Sequence, residues 1–232
     1  MEEGIYQQVI QRRCQTAGIV PVRSEVEIRV RYGDFQKSYF MDLLFAHGLM
    51  VESKTVEMLN NAHYAQALQY LLLTGMQHGL LINMRLDEVK KRYISTTLDS
   101  AERRRIVVCD DQWQPVNDSS QQLRRIILEL LDEWGAFLQT SLYREAIIHF
   151  FGGSSVVLRR VAIYDGNTVL GTHEMCLIAD DTALALTAIK DGRAQMKDHL
   201  QRCLAHTKLT CIQWINLDNH NIEFQTLKKM AE

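Results

Sequence analysis

The stretch MDLLFAHGLMVESKTVE, residues 41–57, holds two apolar runs of strand length that are broken by three charges, Asp42, Glu52 and Lys54. Residues i and i+2 of a β-strand face the same side, so Glu52 and Lys54 project together. Asp42 sits on the preceding run, and a short turn at His47-Gly48 brings the two runs alongside as a hairpin. All three charges then converge on one end of a sheet. Two carboxylates held close repel each other unless a positive charge lies between them. A divalent cation that prefers hard oxygen ligands, Mg²⁺ or Mn²⁺, meets that need through Asp42 and Glu52. Lys54 beside such an ion can orient a water or stabilise charge developing on a phosphate. A solvated strand end, or an ion pair between Lys54 and one carboxylate, accounts for the same residues without chemistry, and the pattern D-x₉-E-x-K is too short to separate these readings.

The elements around these charges follow from periodicity. Residues 3–16, EGIYQQVIQRRCQT, place Ile5, Val9 and Ile10 at helical spacing, with Gly18 as a stop. VRSEVEIRVRY alternates with period two, Val22, Val26, Ile28 and Val30 on one side and charges on the other, as a half-buried strand does. Gly33-Asp34 turns the chain into SYFMDLLFA, and His47-Gly48 turns it again into LMVESKT. Residues 58–74 predict a helix closed by Gly75, GLLINM (79–84) a short central strand, and LDEVKKRYI (86–94) a short helix. Helix, three-strand meander, helix, strand, helix is the order of an α/β sandwich with a mixed sheet.

On the helix at 58–74, Gln66 and Tyr70 lie one turn apart and so on one face, and the first helix offers Glu3 and Tyr6 at i, i+3. With these the sequence resembles the GxxExxY family, small proteins of the PD-(D/E)xK nuclease superfamily. The resemblance runs from Glu3 to about Ile94, through E-x-x-Y, M-D-L-L around Asp42, V-E-S-K-T-V-E (51–57), H-Y-A-Q-A-L-Q-Y-L-L-L-T-G (63–75) and G-L-L-I-N (79–83). It implies a metal-dependent phosphodiesterase core in which Asp42 and Glu52 ligate the metal and Lys54 is the catalytic lysine. Gln66 and Tyr70 would match the Q-x-x-x-Y feature that supports the active site and contacts the nucleic-acid backbone, and Glu3 would be an auxiliary acid. Met41 stands where the superfamily has proline. The family's glycine would fall three residues before Glu3, and its preceding helix is expected to be missing, so that either the start is mis-assigned or Glu3 sits on a frayed end.

The 232 residues are 47% hydrophobic and 23% charged, ordinary for a soluble globular protein of one or two domains. The N-terminus has no basic region followed by an apolar one, and no run approaches the roughly 18–20 apolar residues that span a bilayer, so neither secretion nor a membrane partner is expected. Five cysteines without a C-x-x-C pair read as reduced thiols of a cytoplasmic protein. The net charge of −2 argues against a generally basic nucleic-acid binder. Residues 1–105 nevertheless hold 14 Lys and Arg against 12 Asp and Glu, and the remainder 12 against 16. Basic clusters at Arg12/Arg13, Arg23/Arg29/Arg31, Lys90–Arg92 and Arg103–Arg105 can follow a phosphate backbone locally, or be solvated surface. GxGxxG, Walker and HExxH patterns are lacking, which leaves small-molecule chemistry without a motif.

Residues 101–118 mix charges with one of two prolines and read as a connector between domains at 1–100 and 119–232. Beyond it, Asp118/Ser119 would cap the helix QQLRRIILELLDEW, and SLYREAIIHF would end at Gly152-Gly153. VLRRVAIY, TVLGTHEMCLIA, ALALTAIKD, a helix AQMKDHLQRCLAHT and a strand CIQWINL follow, in the order of the first half. MDLLFA aligns with MCLIAD at an offset of 134, IYQQVI with LYREAI at 137 and LLINM with IQWINL at 133, as a duplication would produce. In that alignment Asp42 becomes Cys176, Glu52 Leu186, Lys54 Ala188, Gln66 His199, Tyr70 Cys203 and Glu3 Thr140, while Tyr6 persists as Tyr143. The expected architecture is therefore two restriction-endonuclease-like α/β sandwiches, each a mixed central sheet flanked by helices, the second a degenerate copy. That copy is left to cover the first domain, hold the substrate or form a homodimer, and His173, His199, His206 and Trp214 read as structural. The expected activity is hydrolysis of nucleic acid, DNA before RNA. The competing expectation is an inactive nucleic-acid-binding or protein-assembly module.

Overall fold

The computed structural model of the chain describes residues 3–46, 48–85 and 88–229; His47 of the second turn and Leu86-Asp87 of the expected helix at 86–94 lie outside them. The chain divides into two compact units, Met1–Glu102 and Arg103–Glu232. Both are α/β, with a five-stranded mixed sheet in the first and a six-stranded mixed sheet in the second, each flanked by helices. Among the described residues no helix is long and apolar enough to cross a membrane.

The first unit runs α1 (Glu3–Thr16), β1 (Val22–Tyr32), β2 (Phe35–Phe45), β3 (Leu49–Lys54), α2 (Asn61–Thr74), β4 (His78–Asn83) and β5 (Lys90–Ser95). Its sheet follows chain order, antiparallel except for β3 and β4, which are parallel because α2 carries the chain back between them. Alternation along the strands splits the apolar residues between two faces. Tyr6, Ile10 and Cys14 of α1 pack on Val22, Leu43, Val51 and Ile82, while Ala67, Tyr70 and Leu71 of α2 pack on Ile28, Met41, Met50 and Leu81. Helix α2 starts on a capping box in which Asn60 accepts from Ala62 N and His63 N and His63 accepts from Asn60 N; it ends on Gly75 at φ 70°, a conformation that favours glycine.

The expected helix at 86–94 is instead an edge strand from Lys90. Val89 and Tyr93 mimic an i, i+4 helical pair, but both are exposed, and only Ile94 of the strand is buried. Pairing with β4 decides the outcome, since the backbone groups of β4 would otherwise lack partners. The row of Lys90, Lys91 and Arg92 on that edge discourages further strands from adding.

The short α3 (Ser100–Arg103) spans the boundary, and the second unit continues with β6 (Val107–Gln112), α4 (Asp118–Trp134), α5 (Thr140–Phe150), α6 (Ser154–Val157), β7 (Leu158–Asp165), β8 (Thr168–Ala179), β9 (Thr182–Thr187), α7 (Arg193–Ala205), β10 (Cys211–Asp218) and β11 (Asn221–Lys228). Residues 101–118 are thus no connector: β6 joins the sheet beside β11, in parallel. Only Val108 and Asp110 of this edge strand, VVCDDQ, are even half-buried, so it carries no apolar pattern that stands out from a polar linker. Strand β11 was not anticipated either. The N-cap of α4 is Asn117, whose Oδ1 accepts from Ser120 N at 2.8 Å, one residue before the expected Asp118/Ser119.

Apart from the four-residue α6, the second unit from α5 onward repeats the first in order, α-β-β-β-α-β-β, and in the sense of every strand pair. A buried asparagine fixes the register of both. Asn83 on β4 accepts from Val56 N at 3.2 Å and donates to Val56 O at 2.7 Å. Asn216 on β10 accepts from Ile189 N at 2.8 Å and donates to Ile189 O at 2.9 Å, the same double clamp at an offset of 133. Superposed on these clamps, Lys54 is level with Thr187 and Glu52 with Ala185, each one residue from the alignment drawn on sequence alone. Leu43 is then level with Cys176, which puts Met175 opposite Asp42. Short apolar segments such as MDLLFA and MCLIAD match at two neighbouring offsets, and only the hydrogen-bond ladder chooses.

Arg103, buried, and Arg104, exposed, both donate to backbone carbonyls at the end of α4. Arg103, 3% exposed, donates through Nε to Ala136 O at 3.0 Å and through Nη2 to Trp134 O. Arg104 donates to Asp132 O at 2.6 Å and Glu133 O at 2.8 Å. Together they satisfy the carbonyls that the end of α4 leaves open and place positive charge at its negative pole. Arg103→Ala would leave at least two buried carbonyls unpaired. We expect a loss of about 3 kcal/mol in denaturant unfolding, against less than about 0.5 kcal/mol for the exposed Arg105→Ala.

Candidate active site

The site is built at the C-terminal end of β3. Met50 of this strand lies under α2 and Val51 under α1, so alternation sends Glu52 to the α2 side and Ser53 to the α1 side. Strand β2 lies alongside, with Leu43 opposite Val51, which brings Asp42 next to Glu52. The ladder between β1 and β2 skips one step here: Ser24 pairs with Leu43 and Val26 with Met41, while Glu25 takes a φ of 49°. The left-handed Glu25 is a local backbone cost, and it falls at the step of the ladder where Asp42 would pair.

Asp42 is buried and fully engaged through one oxygen. Its Oδ2 accepts from Ser53 N at 2.6 Å and from Ser53 Oγ at 2.8 Å. Behind Ser53, Gln7 of α1 donates from Nε2 to Ser53 Oγ at 3.3 Å. Glu52, 1% exposed, accepts from Lys54 Nζ at 2.9 Å through Oε1, and its Oε2 is buried with no hydrogen-bond partner. Lys54 Nζ also lies 3.7 Å from Glu3 Oε1. Across from them on α2, Gln66 Nε2 donates to Tyr70 Oη at 2.8 Å. The structure therefore gathers Glu3, Asp42, Glu52 and Lys54 into one contiguous group and joins Gln66 to Tyr70.

The electrostatics follow from crowding and burial. Burial, and then the negative charge of Asp42, push the Glu52 carboxyl up to about 7, and the Lys54 ammonium offsets only part of this. Burial works against the charged form of Lys54, but its hydrogen bond to Glu52 and the charges of Glu52, Glu3 and Asp42 outweigh it, so its pKa is raised and it stays cationic. Glu3 is raised by burial, against Lys54. Tyr70 is raised chiefly by burial, with Glu52 adding to it.

A nearly inaccessible carboxylate oxygen without a hydrogen-bond partner, beside a second carboxylate, is a donor arrangement that fits a hard divalent cation. Among the described residues no group of three or more His, Cys, Asp and Glu gathers to hold a metal. Two carboxylates with water completing the shell suit Mg²⁺, which dehydrates reluctantly, and Mn²⁺ shares its oxygen preference. Ser53 and Gln7 escaped the sequence reading. Ser53 sits between two strong charges as a neutral residue of the opposite face, and Gln7 is visible only as i+4 from Glu3 on a helix whose partner strand is unknown in advance.

No curated protein matches this chain. Among solved structures, one described as "Crystal structure of SSO0001" is 20% identical, with a TM-score of 0.33, over 42% of this chain and 51% of that one. The chain thus spans about half the length of that structure. A family model described as the PD-(D/E)XK nuclease superfamily matches residues 1–95, the segment that supplies each side chain of the site above.

Proposed function

We propose that the first unit is a metal-dependent nuclease of the GxxExxY branch, a cytoplasmic enzyme that hydrolyses phosphodiester bonds, of DNA in preference to RNA. The superfamily match over residues 1–95 supports the reaction class. The observation that carries the reading is Glu52 Oε2, buried and unpartnered next to Asp42. Asp42 and Glu52 would hold Mg²⁺ or Mn²⁺, which when bound supplies a Lewis acid and an acidified water. Lys54, kept cationic by its acidic neighbours, orients that water or balances the charge developing on the phosphate. Glu3 holds Lys54 from the α1 side, and the Gln66–Tyr70 pair offers polar groups to the substrate backbone. The second unit is, in this reading, a duplicated copy without turnover: Met175, Ala185 and Thr187 stand where Asp42, Glu52 and Lys54 stand in the first. It is left to hold substrate or to form a homodimer.

Cleavage of single-stranded, double-stranded and branched DNA and of RNA, with Mg²⁺, with Mn²⁺ and with EDTA, tests the proposal. Metal-dependent scission is expected on at least one DNA substrate and none in EDTA. One observation favours a second reading: the Lys54–Glu52 ion pair satisfies Glu52 Oε1 without any metal. A binding module of that kind shows salt-sensitive association with nucleic acid and no scission under any metal.

A further inference from the structure

We propose that Gln7 and Ser53 are positioning residues that hold Asp42 for the metal, so that helix α1 sets the geometry of the site from behind; the inference rests on the metal-dependent reading above. Ser53 is wholly buried, yet it is polar and lies between Glu52 and Lys54 on the face turned away from them. A buried hydroxyl on an otherwise apolar face, beside Val51, Leu43 and Ile82, is costly unless both its donor and its acceptor are used. Here both are. The Ser53 hydroxyl donates to Asp42 Oδ2 at 2.8 Å and accepts from Gln7 Nε2 at 3.3 Å, while the Ser53 backbone N–H reaches the same Oδ2 at 2.6 Å.

Three consequences follow from this geometry. Two donors on one oxygen fix the carboxylate plane of Asp42. They occupy Oδ2 and leave Oδ1 as the oxygen to present beside Glu52. The relay also reaches α1 at Gln7, four residues from Glu3 and therefore on the same helix face, and Glu3 approaches Lys54 at 3.7 Å. One face of α1 thus contacts both halves of the site, the metal carboxylate through Gln7 and Ser53 and the lysine through Glu3. The second unit has an apolar Leu186 level with Ser53, as expected where no carboxylate needs orienting.

The test measures Mn²⁺ binding directly, by titration calorimetry on the 232-residue chain, with thermal melting in EDTA recorded alongside. Ser53→Ala is expected to weaken Mn²⁺ binding by about 10-fold or more, Gln7→Leu by a smaller factor in the same direction, and Ser53→Thr, which keeps the hydroxyl, to restore most of it. Gln7→Leu is close to isosteric and folds even if Ser53→Ala does not. A role confined to packing lowers the melting temperature in EDTA without changing the Mn²⁺ affinity of the folded protein. Wild-type affinity in both Ser53→Ala and Gln7→Leu overturns the relay and leaves the nuclease reading intact. Absence of Mn²⁺ binding in the wild type at millimolar metal overturns both.

Discussion

Lys54→Ala is expected to lower metal-dependent cleavage by at least about 10³-fold while leaving Mn²⁺ binding largely in place. The magnitude is that of removing one preorganised charge from a water-excluded site, about 4 kcal/mol of transition-state stabilisation. The ammonium is held by Glu52 at 2.9 Å and by Glu3 at 3.7 Å, so it is already aimed before substrate arrives. The loss should therefore fall on kcat, with KM for the nucleic acid little changed. Truncation also strips Glu52 of its counter-charge, and a buried carboxylate left alone costs stability. Melting curves and Mn²⁺ titrations of Lys54→Ala separate the two effects: lost stability appears in the melting temperature, while the catalytic loss persists in protein that is still folded and still binds the metal. Cleavage by Lys54→Ala within 10-fold of wild type, in protein that melts as wild type does, would remove Lys54 from the mechanism.

Glu52→Gln is expected to stabilise the metal-free protein at pH 8, by on the order of 3 kcal/mol, and to have much less effect at pH 5. Folding raises the Glu52 carboxyl from the ordinary 4.5 to about 7. Below pH 4.5 the group is protonated in both folded and unfolded chains, and no cost arises. Between 4.5 and 7 the unfolded chain gives up its proton first, so stability falls as pH rises, and above 7 the full penalty persists. Lys54 does not oppose the trend, because its raised pKa keeps it charged throughout this range. Glu3 is raised as well and leaves a smaller residual slope in the variant. With saturating Mn²⁺ the order inverts: the wild type gains about 4.1 kcal/mol at a metal concentration 1,000 times Kd, and the variant, lacking the second carboxylate, gains little. Thermal melting in EDTA and in Mn²⁺ at pH 5 and pH 8 measures all four cases. Parallel pH profiles for wild type and Glu52→Gln would remove Glu52 as the strained carboxylate. Stability surrendered at one position for a ligand is the usual sign of a binding position.

Local chemistry was enough for several features. The alternation Val22, Val26, Ile28, Val30 forces a half-buried strand, and Gly33-Asp34 and Gly75 mark a turn and a helix end, because each depends on neighbours within a few residues. The adjacency of Asp42, Glu52 and Lys54 is of the same kind, since it needs only the period of a strand and one short hairpin. Features that depend on distant partners were hidden. Residues 90–95 carry a helical pattern and become a strand because β4 offers an open edge, and β6 reads as a linker until β11, more than a hundred residues away, pairs with it. Arg103 looks like surface charge until the end of α4 supplies carbonyls for it. Ser53 and Gln7 gain their meaning only when α1 docks on the sheet 46 residues away, where burial turns a weak hydrogen bond into one that must be kept. The one-residue register of the second unit is the same lesson in small. Two offsets fit its apolar segments equally, and the buried amide of Asn216, which has a single way to satisfy both its donor and its acceptor on Ile189, selects between them.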